Sequence, residues 1–135
     1  MDWKIEQIVV PVADVDRAKA FYESAGFHVD VDHRAGEDFR VVQLTPPGSA
    51  CSIALMKNEV GASTLQGLHL VVRDIDAALS QLRDAGVDST DLFHFVEGVQ
   101  TDGPGPERTD YETFLSFSDP DGNSWLVQEV PSRPN

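Results

Sequence analysis

The stretch "IVVPVADVDRAKAFYESAGF", residues 8–27, decides the fold because the chain says it twice. Laid over "LHLVVRDIDAALSQLRDAGV", residues 68–87, it puts Asp14 on Asp74, Asp16 on Asp76, Ala18 on Ala78 and Ala25-Gly26 on Ala85-Gly86, a shift of 60. A second echo sets "QLTPPGSACSIAL" (43–55) over "FSDPDGNSWLVQE" (117–129), with Pro46 on Pro120 and Gly48 on Gly122. The shift has grown to 74, so the second copy carries 14 more residues, part of them expected in the Gly/Pro-rich run "GVQTDGPGPER" (98–108). An internal repeat of this length means one structural unit used twice.

Each copy reads as strand, helix and three further strands. The spacing predicts opening strands over 6–12 and 67–72. Asp14 and Asp74 suit the N-cap, where a carboxylate accepts from an orphan backbone N–H, and Asp16 and Asp76 in the first turn suit the helix dipole. Val15, Ala18, Tyr22 and Ala25 fall at helical spacing, as do Ile75, Ala78 or Leu79, Leu82 and Ala85. Gly26 and Gly86 stop the helices by supplying a left-handed residue. Strands are then expected over 27–33, 39–45 and 50–56 in the first copy, and over 92–96, 113–118 and 124–130 in the second. One domain is expected, with a first module at 1–57, a polar linker at 58–66, a second module at 67–131 and a tail at 132–135.

Composition narrows the function. The chain has 135 residues, one domain's worth of core, and no apolar run near the ~20 residues that span a bilayer. Its start, "MDWKIEQ", lacks a signal-peptide pattern, so a cytoplasmic location is expected. The single cysteine, Cys51, excludes an internal disulfide and a cysteine-based zinc cluster. Ten Lys and Arg against 23 Asp and Glu give a net charge of −13, which repels phosphate backbones and argues against nucleic acid as a partner. No nucleophile elbow, P-loop or dinucleotide glycine motif is present.

Strand alternation assigns faces. Ile8, Val10 and Val12, with Leu68, Leu70 and Val72, form the apolar sets expected under the helices, joined by Cys51, Ile53, Leu55, Trp125 and Val127. Gln7, Val9, Pro11, Ser52, Ala54 and Met56 in one copy, and Gly67, His69, Val71, Leu126 and Gln128 in the other, take the opposite, mixed faces. Apolar faces with a few polar groups are what a small-molecule pocket uses.

Paired modules carrying "VADVDRAKAFYESAGF" and "SFSDPDGNSWLVQEV" resemble the glyoxalase, bleomycin-resistance protein and extradiol dioxygenase superfamily, the vicinal oxygen chelate proteins. The resemblance covers nearly the whole chain. It implies an α+β fold of two β-α-β-β-β modules in tandem, forming a curved mixed sheet around a cavity. It also implies a homodimer. One scaffold hosts unrelated functions, metal-dependent isomerases, lyases and dioxygenases as well as metal-free proteins that sequester an antibiotic. The metal-dependent members draw ligands from the first and last strand of each module, places that here hold Gln7, Ser52, Gly67 and Leu126. Of these only Gln7 is able to coordinate, whereas zinc, iron and manganese sites want about three imidazole or carboxylate ligands.

The expected protein therefore binds a small organic molecule, cationic or aromatic, with no cofactor and no metal ligands. Its ligand-binding candidates are Gln7, Ser52, His69, His94, Tyr111, Leu126 and Gln128. His69, two residues beyond Gly67 on the same expected face, is the best catalytic candidate, and it reads equally as a half-buried histidine satisfied by a neighbour. His94, flanked by aromatics in "LFHFVEG", reads either as a pocket-edge residue or as a histidine in an edge strand. Glu129 reads as a solvated or salt-bridged surface acid. His28 and His33 have no visible partner, and whether the protein is an enzyme stays open. The alternative is a metal-dependent lyase, isomerase or dioxygenase with a rearranged site of Gln7, His69 and Glu129, which needs a bulge or register shift to bring them together.

Overall fold

The computed structural model describes residues 1–57 and 63–134. The expected linker, 58–66, lies partly outside the described residues, at 58–62. The chain divides into two compact units, one of residues 1–65 with 119–123, the other of residues 66–118 with 124–135.

In the first unit the order is β1 (Gln7–Val12), α1 (Val15–Ser24), β2 (His28–Ala35), β3 (Phe39–Thr45) and β4 (Ser52–Lys57). The strands form one mixed sheet, β1-β4-β3-β2, with β1 parallel to β4 and the other pairs antiparallel. Asp14 opens α1 from extended backbone, φ −130°, and accepts from the Arg17 N–H at 3.1 Å. Gly26 closes it at φ +104°, which lets the Phe27 N–H return to the Tyr22 carbonyl at 2.9 Å. Helix α1 lies on β3 and β4, and Val10, Val12, Ala18, Tyr22, Val42, Leu44 and Leu55 are fully buried. Ile8 has the right parity for that core yet stays 39% exposed.

The β8–β9 turn, residues 119–123, belongs to this first unit. Asn123 donates from Nδ2 to the Pro11 carbonyl at 2.9 Å and accepts from the Leu65 N–H at 2.8 Å. Buried Asp119 accepts from the Tyr22 hydroxyl at 2.7 Å, from Asn123 Nδ2 at 2.8 Å and from the backbone N–H groups of Asp121 and Asn123, each at 2.9 Å. The run "DPDGN" is thus a turn whose own backbone and a distant tyrosine are satisfied by one carboxylate.

In the second unit the order is β5 (Leu68–Val72), α2 (Ile75–Asp84), β6 (Phe93–Val96), β7 (Val99–Asp102), β8 (Phe114–Ser118) and β9 (Ser124–Glu129). The mixed sheet runs β5-β9-β8-β6-β7, with β5 parallel to β9. Helix α2 repeats the devices of α1: Asp74 caps it by accepting from the Ala77 N–H at 3.1 Å, and Gly86 ends it at φ +77°. It lies on β8 and β9, and its Ile75 is buried together with Leu115, Phe117, Trp125 and Val127 of those strands. Leu68, Leu70 and Val72 alternate as expected but are only half-buried.

Strand β7, which was not expected, lies within the Gly/Pro-rich run 98–108. Glu97 and Gly98 turn the chain with φ +49° and +80°, the pair of positive values that matches strand twist in a two-residue hairpin, and β7 pairs back along β6. The fold is α+β with mixed sheets, and no helix among the described residues is long and apolar enough to cross a membrane.

Candidate functional site

Register shows which candidate residues meet. In the first unit Gln7 stands directly opposite Ser52 across the parallel β1–β4 pair. Gln7 is exposed, whereas Ser52 is buried and shares a 2.6 Å hydrogen bond with the Thr45 hydroxyl. Thr45 in turn donates to the Asp30 carboxylate, which a bulge between Val29 and Val31 turns out of register. A carboxylate only accepts, so the proton order runs from Ser52 to Thr45 to Asp30.

In the second unit His69 lies opposite Leu126, and Leu126 opposite Ser116. One step along, Val71 lies opposite Gln128, Gln128 opposite Phe114, and Phe114 opposite Phe93. These side chains share the sheet face away from α2. His69 Nε2 is 3.0 Å from Gln128 Oε1, and Gln128 donates from Nε2 to the Tyr111 carbonyl at 3.1 Å. Phe93 stacks on Phe114 with ring centroids 5.8 Å apart, and Phe95 meets Phe114 edge-on at 5.3 Å. His69, Leu126 and Gln128 are therefore brought together, and Tyr111 joins through its backbone. Its ring is exposed, on a residue held at φ +66°. The three phenylalanines were not among the expected residues. Their signal was the "FHF" alternation of β6, which puts two rings on one face and His94 on the other.

His94 thus stands apart from that group. It is buried, and its Nδ1 donates to the Gly103 carbonyl at 2.7 Å, closing the loop after β7.

Glu129 corrects the expectation of a surface acid. It is 4% exposed, on the α2 side of β9. It accepts from the Ile75 N–H at 2.9 Å and from Arg108 at 3.2 and 3.3 Å, and Arg108 also donates to Asp76 at 2.7 Å. The two carboxylates raise the Arg108 pKa, chiefly through the bond to Glu129. Asp74, Asp76 and Glu129 hold carboxylate oxygens within 4.8 Å of one another, yet Arg108 already supplies the positive charge there. Because Glu129 and His69 are on opposite faces of one sheet, the rearranged Gln7–His69–Glu129 site is not assembled.

Of the four places that the family's metal-dependent members use, Gln7 alone carries a free side chain able to coordinate, and one neutral amide does not make an ion site. Gly67 has no side chain and sits at φ +76°, Leu126 is apolar, and the Ser52 hydroxyl is engaged by Thr45. A separate hollow of about 530 Å³ in the first unit is lined by Asp14, Asp16, Arg34, Phe39, Arg40 and Lys57, among others, and by none of the seven expected residues. Arg40 bonds Asp16 within it at 2.6 Å, so that pair of wall charges is already partnered.

The duplicated fold agrees with the comparisons with known proteins. Residues 4–127 match the Glyoxalase/Bleomycin resistance protein/Dioxygenase superfamily, and the chain belongs to it. Among solved structures it is similar to TnmS3, an antibiotic binding protein from Streptomyces sp. CB03234, at 29% identity and a TM-score of 0.73, covering 96% of this chain and 97% of that one. A glyoxalase/bleomycin resistance protein from the same organism is 30% identical, with a TM-score of 0.70 and coverage of 93% and 100%. A superfamily member from Sphaerobacter thermophilus DSM 20745 is 27% identical, with a TM-score of 0.72 and coverage of 95% and 98%.

Proposed function

We propose that this protein binds a small organic molecule, aromatic or cationic, on the face of its second sheet away from α2, without the divalent metal that enzymes of the family use. The observation that carries this reading is one face combining exposed His69, bonded to half-buried Gln128, with the exposed Phe95 ring seated on buried Phe93 and Phe114, around Leu126 where a metal ligand would stand. Aromatic walls with a few oriented polar groups suit an organic guest, and TnmS3 offers an antibiotic-binding precedent on a similar chain. The strongly acidic surface adds a modest pull on cationic guests.

Protein purified without a metal-affinity column should carry no stoichiometric first-row metal after dialysis. Aromatic and cationic compounds should raise its thermal stability as ligand concentration grows, by about 2.7 kcal/mol at a hundred times Kd. A tightly held metal ion, or a screen of such compounds without any shift, sinks the reading. Homodimerisation in the cytoplasm is part of the same proposal, and a monomeric mass in sedimentation across micromolar concentrations would remove the dimer.

A further inference from the structure

The orientation of one amide determines what His69 offers to a guest. The Tyr111 carbonyl is only an acceptor, so the Gln128 atom facing it at 3.1 Å is the NH2 group. That leaves Oε1 facing His69 Nε2 at 3.0 Å, and Oε1 only accepts, so Nε2 carries the proton. A neutral imidazole protonated at Nε2 presents a bare lone pair at Nδ1. Among the described residues Nδ1 has no hydrogen-bond partner, and the ring is exposed. His94 is set the other way, with Nδ1 donating to Gly103. Tyr111 is itself fixed, held at positive φ with its N–H bonded to the Glu129 carbonyl at 2.9 Å, so the carbonyl that orients Gln128 is not free to turn.

We propose that Gln128 is a positioning residue that locks His69 in the Nε2–H tautomer, so that Nδ1 accepts a hydrogen bond from an aromatic ligand carrying a hydroxyl or N–H group. The inference rests on the binding face described above and adds a rule of selection to it. Phe95, whose ring is exposed beside buried Phe93 and Phe114, offers a surface to any arene, while Nδ1 rewards only one with a proton to give. A residue that merely packed would leave the ring nitrogen states unchanged when replaced.

Two measurements test it. Ring 15N shifts of ligand-free protein, recorded where His69 is neutral, should show a single tautomer protonated at Nε2. Gln128→Ala should relax it toward the mixture of free imidazole, and so should Gln128→Met, which keeps the length of the side chain but not the amide. With 2-naphthol and 2-methoxynaphthalene as probes, the wild-type protein should prefer the naphthol by about fivefold, the worth of one neutral hydrogen bond. That preference should vanish in His69→Phe and shrink in both Gln128→Ala and Gln128→Met. An Nδ1–H or mixed tautomer in the wild type, or equal binding of the two probes, overturns this inference and leaves the binding face standing. Failure of both arenes to bind overturns the inference together with the reading beneath it.

Discussion

Asp16 and Asp76 are repeat mates, each the second residue of its helix, and each meets an arginine that comes from a different place. In the first unit Arg40, on the neighbouring β3, bonds Asp16 at 2.6 Å and Asp32 at 2.9 and 3.0 Å, and both carboxylates keep contact with water. In the second unit Arg108, from the inserted segment, spans Asp76 and Glu129, and the Glu129 side chain is 5% exposed. The repeat mate of Glu129 at the shift of 74 is Leu55, which is fully buried. The insertion thus does more than lengthen a loop. It supplies the cation that allows a carboxylate to occupy a position filled by a leucine in the other copy, and that carboxylate then satisfies the Ile75 N–H at the start of α2.

The sharpest way to break this comparison is to remove the two arginines in turn. Arg108→Ala strands a buried carboxylate and should cost about 3–5 kcal/mol, whereas Arg40→Ala leaves its partners in water and should cost about 1 kcal/mol or less. Urea unfolding measures both. Adding Glu129→Leu to Arg108→Ala, which installs the residue of the first copy, should recover most of the loss. Equal costs for the two single variants would show that the insertion contributes no electrostatic support.

The next contrast is Tyr22 against its repeat mate Leu82, both buried against their sheets. Only Tyr22 carries a hydroxyl to Asp119, at 2.7 Å. Tyr22→Phe should cost about 1–3 kcal/mol, because buried Asp119 loses a donor without losing its desolvation penalty. A change within a few tenths of a kcal/mol would mean that the turn satisfies Asp119 by itself.

Local signals carried most of the fold into the sequence, and long-range pairings kept much of the site out of it. Both helices were legible within a residue or so, because aspartate caps, apolar spacing and terminal glycines act over four or five positions. The inserted strand β7 was hidden because its turn is Glu97-Gly98 rather than Asn-Gly, so the hairpin lacked its usual first residue. The shared face of His69, Leu126 and Gln128 followed from alternation alone. What joins His69 to Gln128 is a bond across 59 residues, and Glu129 is buried by an arginine 21 residues away that no periodicity announces. The phenylalanine cluster likewise needs β6 and β8 in register before it exists.

Acid should distinguish the two units more gently. Arg40 and Lys19 hold the Asp32 pKa well below its ordinary 3.8, and Arg40 also lowers that of Asp16. Below the ordinary carboxylate range the unfolded chain binds more protons than the folded one, so stability rises with pH there. The contribution is complete above the unfolded pKa and fades as pH falls toward the lowered values. Arg40→Met should flatten that acid limb in urea midpoints. A remainder should persist from Asp110 and Glu112, lowered by bonds from Ser132 and Thr109. An unchanged slope would place the pH dependence elsewhere.

The smallest effect tests the caps, which are the most alike of all the paired features. Asp14 and Asp74 sit at φ −130° and −135°, and each accepts from the N–H three residues on at 3.1 Å. Replacing such a cap by alanine costs about 1 kcal/mol, and geometry alone predicts equal losses. Their electrostatic surroundings differ, because Asp74 has carboxylate oxygens of Asp76 and Glu129 within 4.8 Å. Asp74→Ala removes a cap and a like charge together, so at low salt it should cost about half as much as Asp14→Ala, that is, about 0.5 kcal/mol. Added salt screens exposed like charges, so the two costs should converge as ionic strength rises. Identical losses at low salt would mean that Arg108 fully compensates the acidic group at the head of α2, and the second unit would then differ from the first in packing alone.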